Sequence, residues 1–140
     1  MMFEPSLALQ TAIRSALIAS PAVTALVPAD RIRAGSSRPD YFPTIVLAAG
    51  QTLFLGRASG SQLCARVILD LHVWALEDGA DTARQIGGAV MQTLIDPPQA
   101  EAFGIDQWDK PSVQWMRDPK PELTACHGVM QLSGVVRWRI

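Results

Sequence analysis

His72 and His127, Cys64 and Cys126, and the carboxylates of Glu77, Asp78 and Asp81 are the side chains best suited to ligation, nucleophilic attack or proton transfer in this 140-residue chain. The two imidazoles come close only if the strands that carry them are neighbours. Even then they lack a third ligand within sequence reach, whereas a zinc site ordinarily takes four. Two cysteines are too few for a disulfide framework, and strand alternation sends them to opposite faces, so no bridge is expected. The three carboxylates bunch where a helix should begin, and capping and the helix dipole account for them there. No G-x-S-x-G elbow, H-E-x-x-H helix, C-x-x-C pair or dinucleotide fingerprint is present. Gly56 and Gly60 share a G-x-x-x-G spacing, but outside an apolar helix and with no phosphate-cradling Gly-Lys-Ser/Thr after it. The residues therefore predict no catalysis, no cofactor and no metal.

Nucleic acid is a second class to weigh, because Trp74, Trp108, Trp115 and Trp138 could stack bases. Such binding needs a basic groove, and the net charge is −1 with one local basic cluster, Arg31, Arg33 and Arg38. Sequence-specific nucleic-acid binding is not expected. At 49% apolar and 18% charged residues the composition is that of a globular chain, and its length suits a single domain over residues 1–140. No apolar run approaches the ~20 residues of a membrane span. The segment MMFEPSLALQ carries an acid and no basic residue, which argues against a secretory signal.

The elements that would position these groups follow from periodicity. Pro5 suits a first helical turn, Leu9, Ile13, Ala16 and Leu17 follow at helical spacing, and Ser20-Pro21 ends the helix. Residues 23–27 add one short turn, and 28–42 read as loop with a short edge strand around Ile32. A first long strand is expected over 43–55, with Ile45, Leu47, Ala49, Leu53 and Leu55 facing the core. GRASGSQ, 56–62, is a hairpin turn. The next strand has the clearest alternation: Leu63, Ala65, Val67, Leu69, Leu71, Val73 and Ala75 make an unbroken apolar row. A helix capped by Asp78, with Asp81 in its first turn, should bury Ala83, Ile86, Gly87, Val90, Met91 and Leu94. A loop carrying Trp108 leads to a strand near 111–117, then a turn and a last strand from about 124. This order predicts an α+β fold of two layers. Two helices pack on one face of a mixed, mainly antiparallel sheet of about four strands, the mixture being supplied by the helical crossover.

One face of that sheet is left without cover. It should carry Val46, Phe54, Ile68, Trp74, Val129 and Val135 among Arg66, Asp70, His72, Gln131 and Arg137. An apolar patch rimmed by charge suits a protein partner, although scattered apolar residues on a sheet face are also ordinary. The glycine pair Gly87-Gly88 costs a helix about 1 kcal/mol per residue, which points to close approach by the sheet or by a neighbouring chain. The interface candidates are Arg66, Ile68, His72 and Trp74 on the strand, Gly87 and Gly88 on the helix, and Arg57 at the hairpin.

Several segments, in order, resemble one family: EPSLALQTAIRSAL, PADRIRAG, FPTIVL, LHVWALEDGADTARQIGGAV and HGVMQLSGVVRW. Together they are similar to the tail-completion, or tail-terminator, proteins of long-tailed phages, prophages and gene transfer agents. The resemblance implies a structural virion subunit that closes into a homohexameric ring. Such a ring caps the tail tube, stops its polymerisation and joins the tail to the head connector, with DNA passing through it. The implied partners are further copies of the chain, the tube protein and the connector or stopper protein. No catalytic residue comes with the family. GRASGSQ lacks acidic residues, so no contact with the tube is carried over to it. The competing class is a small cytosolic α+β domain that binds a ligand or dimerises, and a large apolar pocket would favour it.

Overall fold

The computed structural model describes residues 3–35, 38–77, 81–117 and 124–140. Helix α1, Pro5–Ile18, opens on Glu4, whose carboxylate accepts from the backbone N–H groups of Ser6 and Leu7 at 3.2 and 3.0 Å. These bonds satisfy donors that the first turn leaves unpaired. Leu9, Ile13 and Leu17 are its buried stripe. A four-residue helix α2, Pro21–Thr24, and a 3-10 turn, Ala29–Arg31, lead to the short strand β1, Ile32–Ala34. The Arg14 guanidinium ties α1 to that strand through the Ile32 carbonyl at 2.8 Å.

The remaining strands are β2 (Thr44–Leu47), β3 (Gln51–Ala58), β4 (Gln62–Leu76), β5 (Gly104–Trp108), β6 (Ser112–Arg117) and β7 (Ala125–Arg139). β4 and β7 are the long central pair, antiparallel from Gln62↔Arg139 to Leu76↔Ala125. β2 and β3 share the outer side of β4, while β5 and β6 share the outer side of β7. The sheet therefore has seven strands where about four were expected: each outer column is broken in two, and β1 adds a further strand beside β2. Trp108, expected in a loop, ends β5, and its indole N–H donates to the Leu94 carbonyl at 2.8 Å. The mixed character has a different source from the expected one. β1 runs parallel to β2, and the helical crossover contributes no parallel neighbours.

The break between β2 and β3 corrects the expected single strand over 43–55. Leu47 stands opposite Leu71 and Gln51 opposite Ile68, so the outer chain uses one residue more than β4 between these points. One extra residue turns every following side chain to the other face. Leu53, expected in the core, lies opposite Arg66 on the face away from the helices and is 41% exposed. Phe54, expected on that outer face, lies opposite Ala65 on the helix side. Leu55 is skipped by a second irregularity between Phe54 and Gly56 and is also exposed. Gly50 permits the first break, since a Cβ there would stand 2.0 Å from the Ile68 carbonyl oxygen.

Helix α3, Thr82–Thr93, packs with α1 on one face of the sheet. Asp81 holds the N-cap position in a left-handed conformation, φ 54°, without a side-chain capping bond. It is therefore not a first-turn residue as expected, and Asp78 lies outside the described residues. Ala83, Ile86, Val90 and Leu94 meet the apolar row of β4, which is buried from Ala65 to Ala75, together with Met130, Leu132 and Val136 of β7.

The glycine pair of α3 divides into two roles. A Cβ at Gly87 would meet the Trp115 ring at 2.6 Å, and one at Gly128 would meet the same ring at 2.5 Å. Trp115 is thus wedged between α3 and β7 through two missing side chains. Around Gly88 the space is open. Gly88→Ala should raise the urea midpoint, through a gain of up to about 1 kcal/mol in helix propensity. Gly87→Ala should lower it, because overpacking against a ring held on both sides costs about 1–3 kcal/mol and outweighs that gain. Equal effects from the two substitutions would remove the wedge.

Candidate functional site

The face of the sheet opposite the helices is lined by the even row of β4 and the odd row of β7. Register places Trp74 directly opposite His127, and His72 opposite Val129. Trp74 and His127 stack with ring centroids 3.7 Å apart and planes 9° apart. His127 stacks in turn on His72 at 5.0 Å, with His72 Nδ1 and His127 Nε2 separated by 2.7 Å. Two imidazoles at that distance share one proton, so the bond lasts only while at least one ring is neutral.

The segment around residues 38–43 folds over this stack. The Arg38 guanidinium lies 5.6 Å from the Trp74 ring centre and 5.6 Å from that of Phe42. The Phe42 ring meets Trp74 edge-on at 6.5 Å. The Thr44 hydroxyl donates to the Tyr41 carbonyl at 2.6 Å, and the Arg31 guanidinium to the Phe42 carbonyl at 3.1 Å, pinning the segment. Trp74 is left 9% exposed and Val46 2%. Here the chain itself covers the apolar groups that alternation puts on the outer face. Trp74 is therefore a packing residue of this layer, not an open contact.

Burial pushes the His72 imidazole below its ordinary value of 6.5, while the nearby Asp70 carboxylate pulls it upward. The other charged or titratable groups on the stack are His127 of β7 and Arg38. A depressed folded-state value means that the unfolded chain takes up the proton first. The stability owed to neutral His72 is whole above about pH 6.5 and is lost as pH falls through the lower folded value. Urea midpoints of the protein should accordingly fall between about pH 7.5 and pH 5, and those of His72→Gln should fall less over the same range. Parallel pH profiles for the two proteins would show that His72 titrates as it does in the unfolded chain. Among the described residues, no group of three or more His, Cys, Asp or Glu side chains is arranged to hold a metal ion.

At the other end of the face the candidate Arg66 and its neighbour Arg137 are bound internally. Arg66 donates to Asp109 at 3.2 Å and to Ser133 Oγ at 3.1 Å. Arg137 donates to both carboxylate oxygens of Asp106 at 3.0 Å and to the Gln62 side-chain oxygen at 2.9 Å. These half-exposed pairs fasten the turn after β5 and the strand itself to the central strands, and each contributes at most about 1 kcal/mol. Ile68 lies between the two ends, half-buried, opposite Ser133 and Gln51.

The seven candidates do not form one patch. Arg66, Ile68, His72 and Trp74 share the outer face, Gly87 and Gly88 lie in the helix layer, and Arg57 is exposed on β3 opposite Leu63. What alternation missed is β3 itself: Leu53, Phe54 and Leu55 are exposed by 41%, 63% and 58%. Three consecutive large apolar residues are the signal that could have found it, because a strand of period two cannot bury all three against one layer. A cavity of 460 Å³ beside the 38–43 segment has two arginines and two aspartates, Arg31, Arg33, Asp30 and Asp40, among its lining residues. Pro39 and Tyr41 also line it, so its wall mixes charged and apolar surface.

A family model described as tail completion protein gp17 matches residues 11–137. Among solved structures, a chain from the virion of a native gene transfer agent particle aligns with a TM-score of 0.67 at 17% identity, covering 96% of this chain and 99% of that one. The structure of the gp17 protein of bacteriophage SPP1 aligns with a TM-score of 0.58 at 23% identity, covering 97% and 91% respectively. At such identities these two likenesses establish the fold. No curated protein matches the chain.

Proposed function

The chain belongs to the tail completion protein gp17 family, and from that premise we propose that it closes into a six-membered ring at the head-proximal end of the tail tube. It is a structural component of a virion tail, without enzymatic activity. In the proposed assembly the ring stops tube polymerisation and gives the head connector a surface to dock on, while DNA passes through the centre. The observation that carries this reading is the family match over residues 11–137, almost the whole chain. The chain acts as a single domain, with tube protein on one side of the ring and connector protein on the other. A ring of identical subunits needs two different patches on each copy, joined head to tail and closed by rotation.

Cryo-electron microscopy of particles that contain the protein tests this directly. The expected result is one ring between tube and connector with six copies per particle. Absence from the particle, or a dimer located elsewhere, would overturn the proposal.

A further inference from the structure

We propose that the head-to-tail contact of the ring joins the β3 edge of one copy to the β5 edge of the next. The inference rests on the ring reading above and adds to it which surfaces meet. β3 pairs only with β4, and β5 only with β7, so among the described residues each has one unpaired side. Edge strands are ordinarily protected by charge, proline or a covering element. From Gln51 to Gly56, β3 has no charge and no proline, and it exposes Leu53, Phe54 and Leu55.

Three features identify a second copy as the occupant. The first is direction: β3 opposes β4, β4 opposes β7 and β7 opposes β5, so β3 and β5 run antiparallel. A copy displaced sideways in the sheet plane therefore presents β5 to β3 in antiparallel sense. The second is level. Phe54, Ala65, Val136 and Ile105 lie on one row across the sheet, as do Leu53, Arg66, Val135 and Gln107. The two edges thus stand at the same height. The third is charge. β3 carries the exposed Arg57, and Glu101 precedes β5 as an exposed carboxylate. Asp106 and Asp109 are already held by Arg137 and Arg66, and Glu4 is held at Thr52 on β3, so the pair Arg57–Glu101 carries the complementarity. Arg57 stands one row beyond the Gly104 end of β5, on the side from which Glu101 approaches. The two patches are different, complementary and on opposite sides of one molecule, as a heterologous contact requires.

The test uses the full chain, with light scattering and negative-stain microscopy reporting ring content. Phe54→Glu with Leu55→Glu should weaken self-association about 100-fold or more by placing unpaired charge in the contact. Circular dichroism should be unchanged and the urea midpoint should fall only slightly, since both side chains are largely exposed in the subunit and Phe54 gives up only its edge contact with the Trp138 ring. Arg57→Glu and Glu101→Arg should each weaken assembly, and their combination in one chain should restore it, because every contact then regains an opposite pair. Should the apolar variant unfold, the charge exchange still decides. Unchanged rings in these folded variants, or no recovery in the doubly exchanged chain, would overturn this contact and leave the ring reading standing. A wild-type chain that never forms rings, even in particles, would remove both.

Discussion

Leu71→Ala is expected to lower the free energy of unfolding by about 2–5 kcal/mol. Leu71 has no exposed surface, and it faces Leu47 on β2 and Met130 on β7, both buried. Its neighbours are fixed in paired strands under α1 and α3, so the vacated space cannot collapse freely, and the cavity term adds to the lost transfer energy. Against a total of about 5–15 kcal/mol for a domain, the loss is large. Urea unfolding should show a lower midpoint at unchanged slope. Leu53→Ala is the internal control. Alternation puts both residues in core rows, but Leu53 lies on the outer face, and its removal should change stability by no more than about 0.5 kcal/mol. Comparable losses at the two positions would mean that β3 is not turned over.

Trp74→Ser should cost a further large amount, about 3–5 kcal/mol, the range for truncating a buried aromatic. The indole is packed between the His127 ring, the Arg38 guanidinium and the edge of Phe42. Removing it leaves a gap beneath the 38–43 segment and takes away the surface on which both histidines stack. Trp74→Phe should recover much of the loss, because a ring still fills the layer. Wild-type stability in Trp74→Ser would show that the segment does not cover this face, and would return Trp74 to the residues awaiting a partner. Ile68→Asp separates the two ends of the same face. Ile68 is only half-buried, with the polar Ser133 and Gln51 beside it, so a charge there is only partly desolvated and costs less than one in the Trp74 layer.

The amino-acid order alone determined the elements whose environment is uniform along their length. The row from Leu63 to Ala75 alternates without a break because β4 has a strand on both sides and helices above it. The α1 stripe is legible for the same reason, being buried on one side throughout. The family is legible as well, because its segments recur in order along nearly the whole chain. Tertiary structure decided everything that depends on where alternation stops. One extra residue between Leu47 and Gln51 reverses the facing of Leu53 and Phe54; Gly50 is a local mark of a break, but only the register against β4 fixes how many residues it absorbs. The same holds for the pairing of Trp74 with His127, 53 residues apart in sequence and opposite each other only through the β4–β7 register. It holds for Gly87, too, whose use appears only when Trp115 arrives from β6 to occupy the missing side chain. Periodicity reports the average surroundings of a segment. A shift of register, a covering loop or a wedge is a contact between distant segments, and only the folded chain brings those segments together.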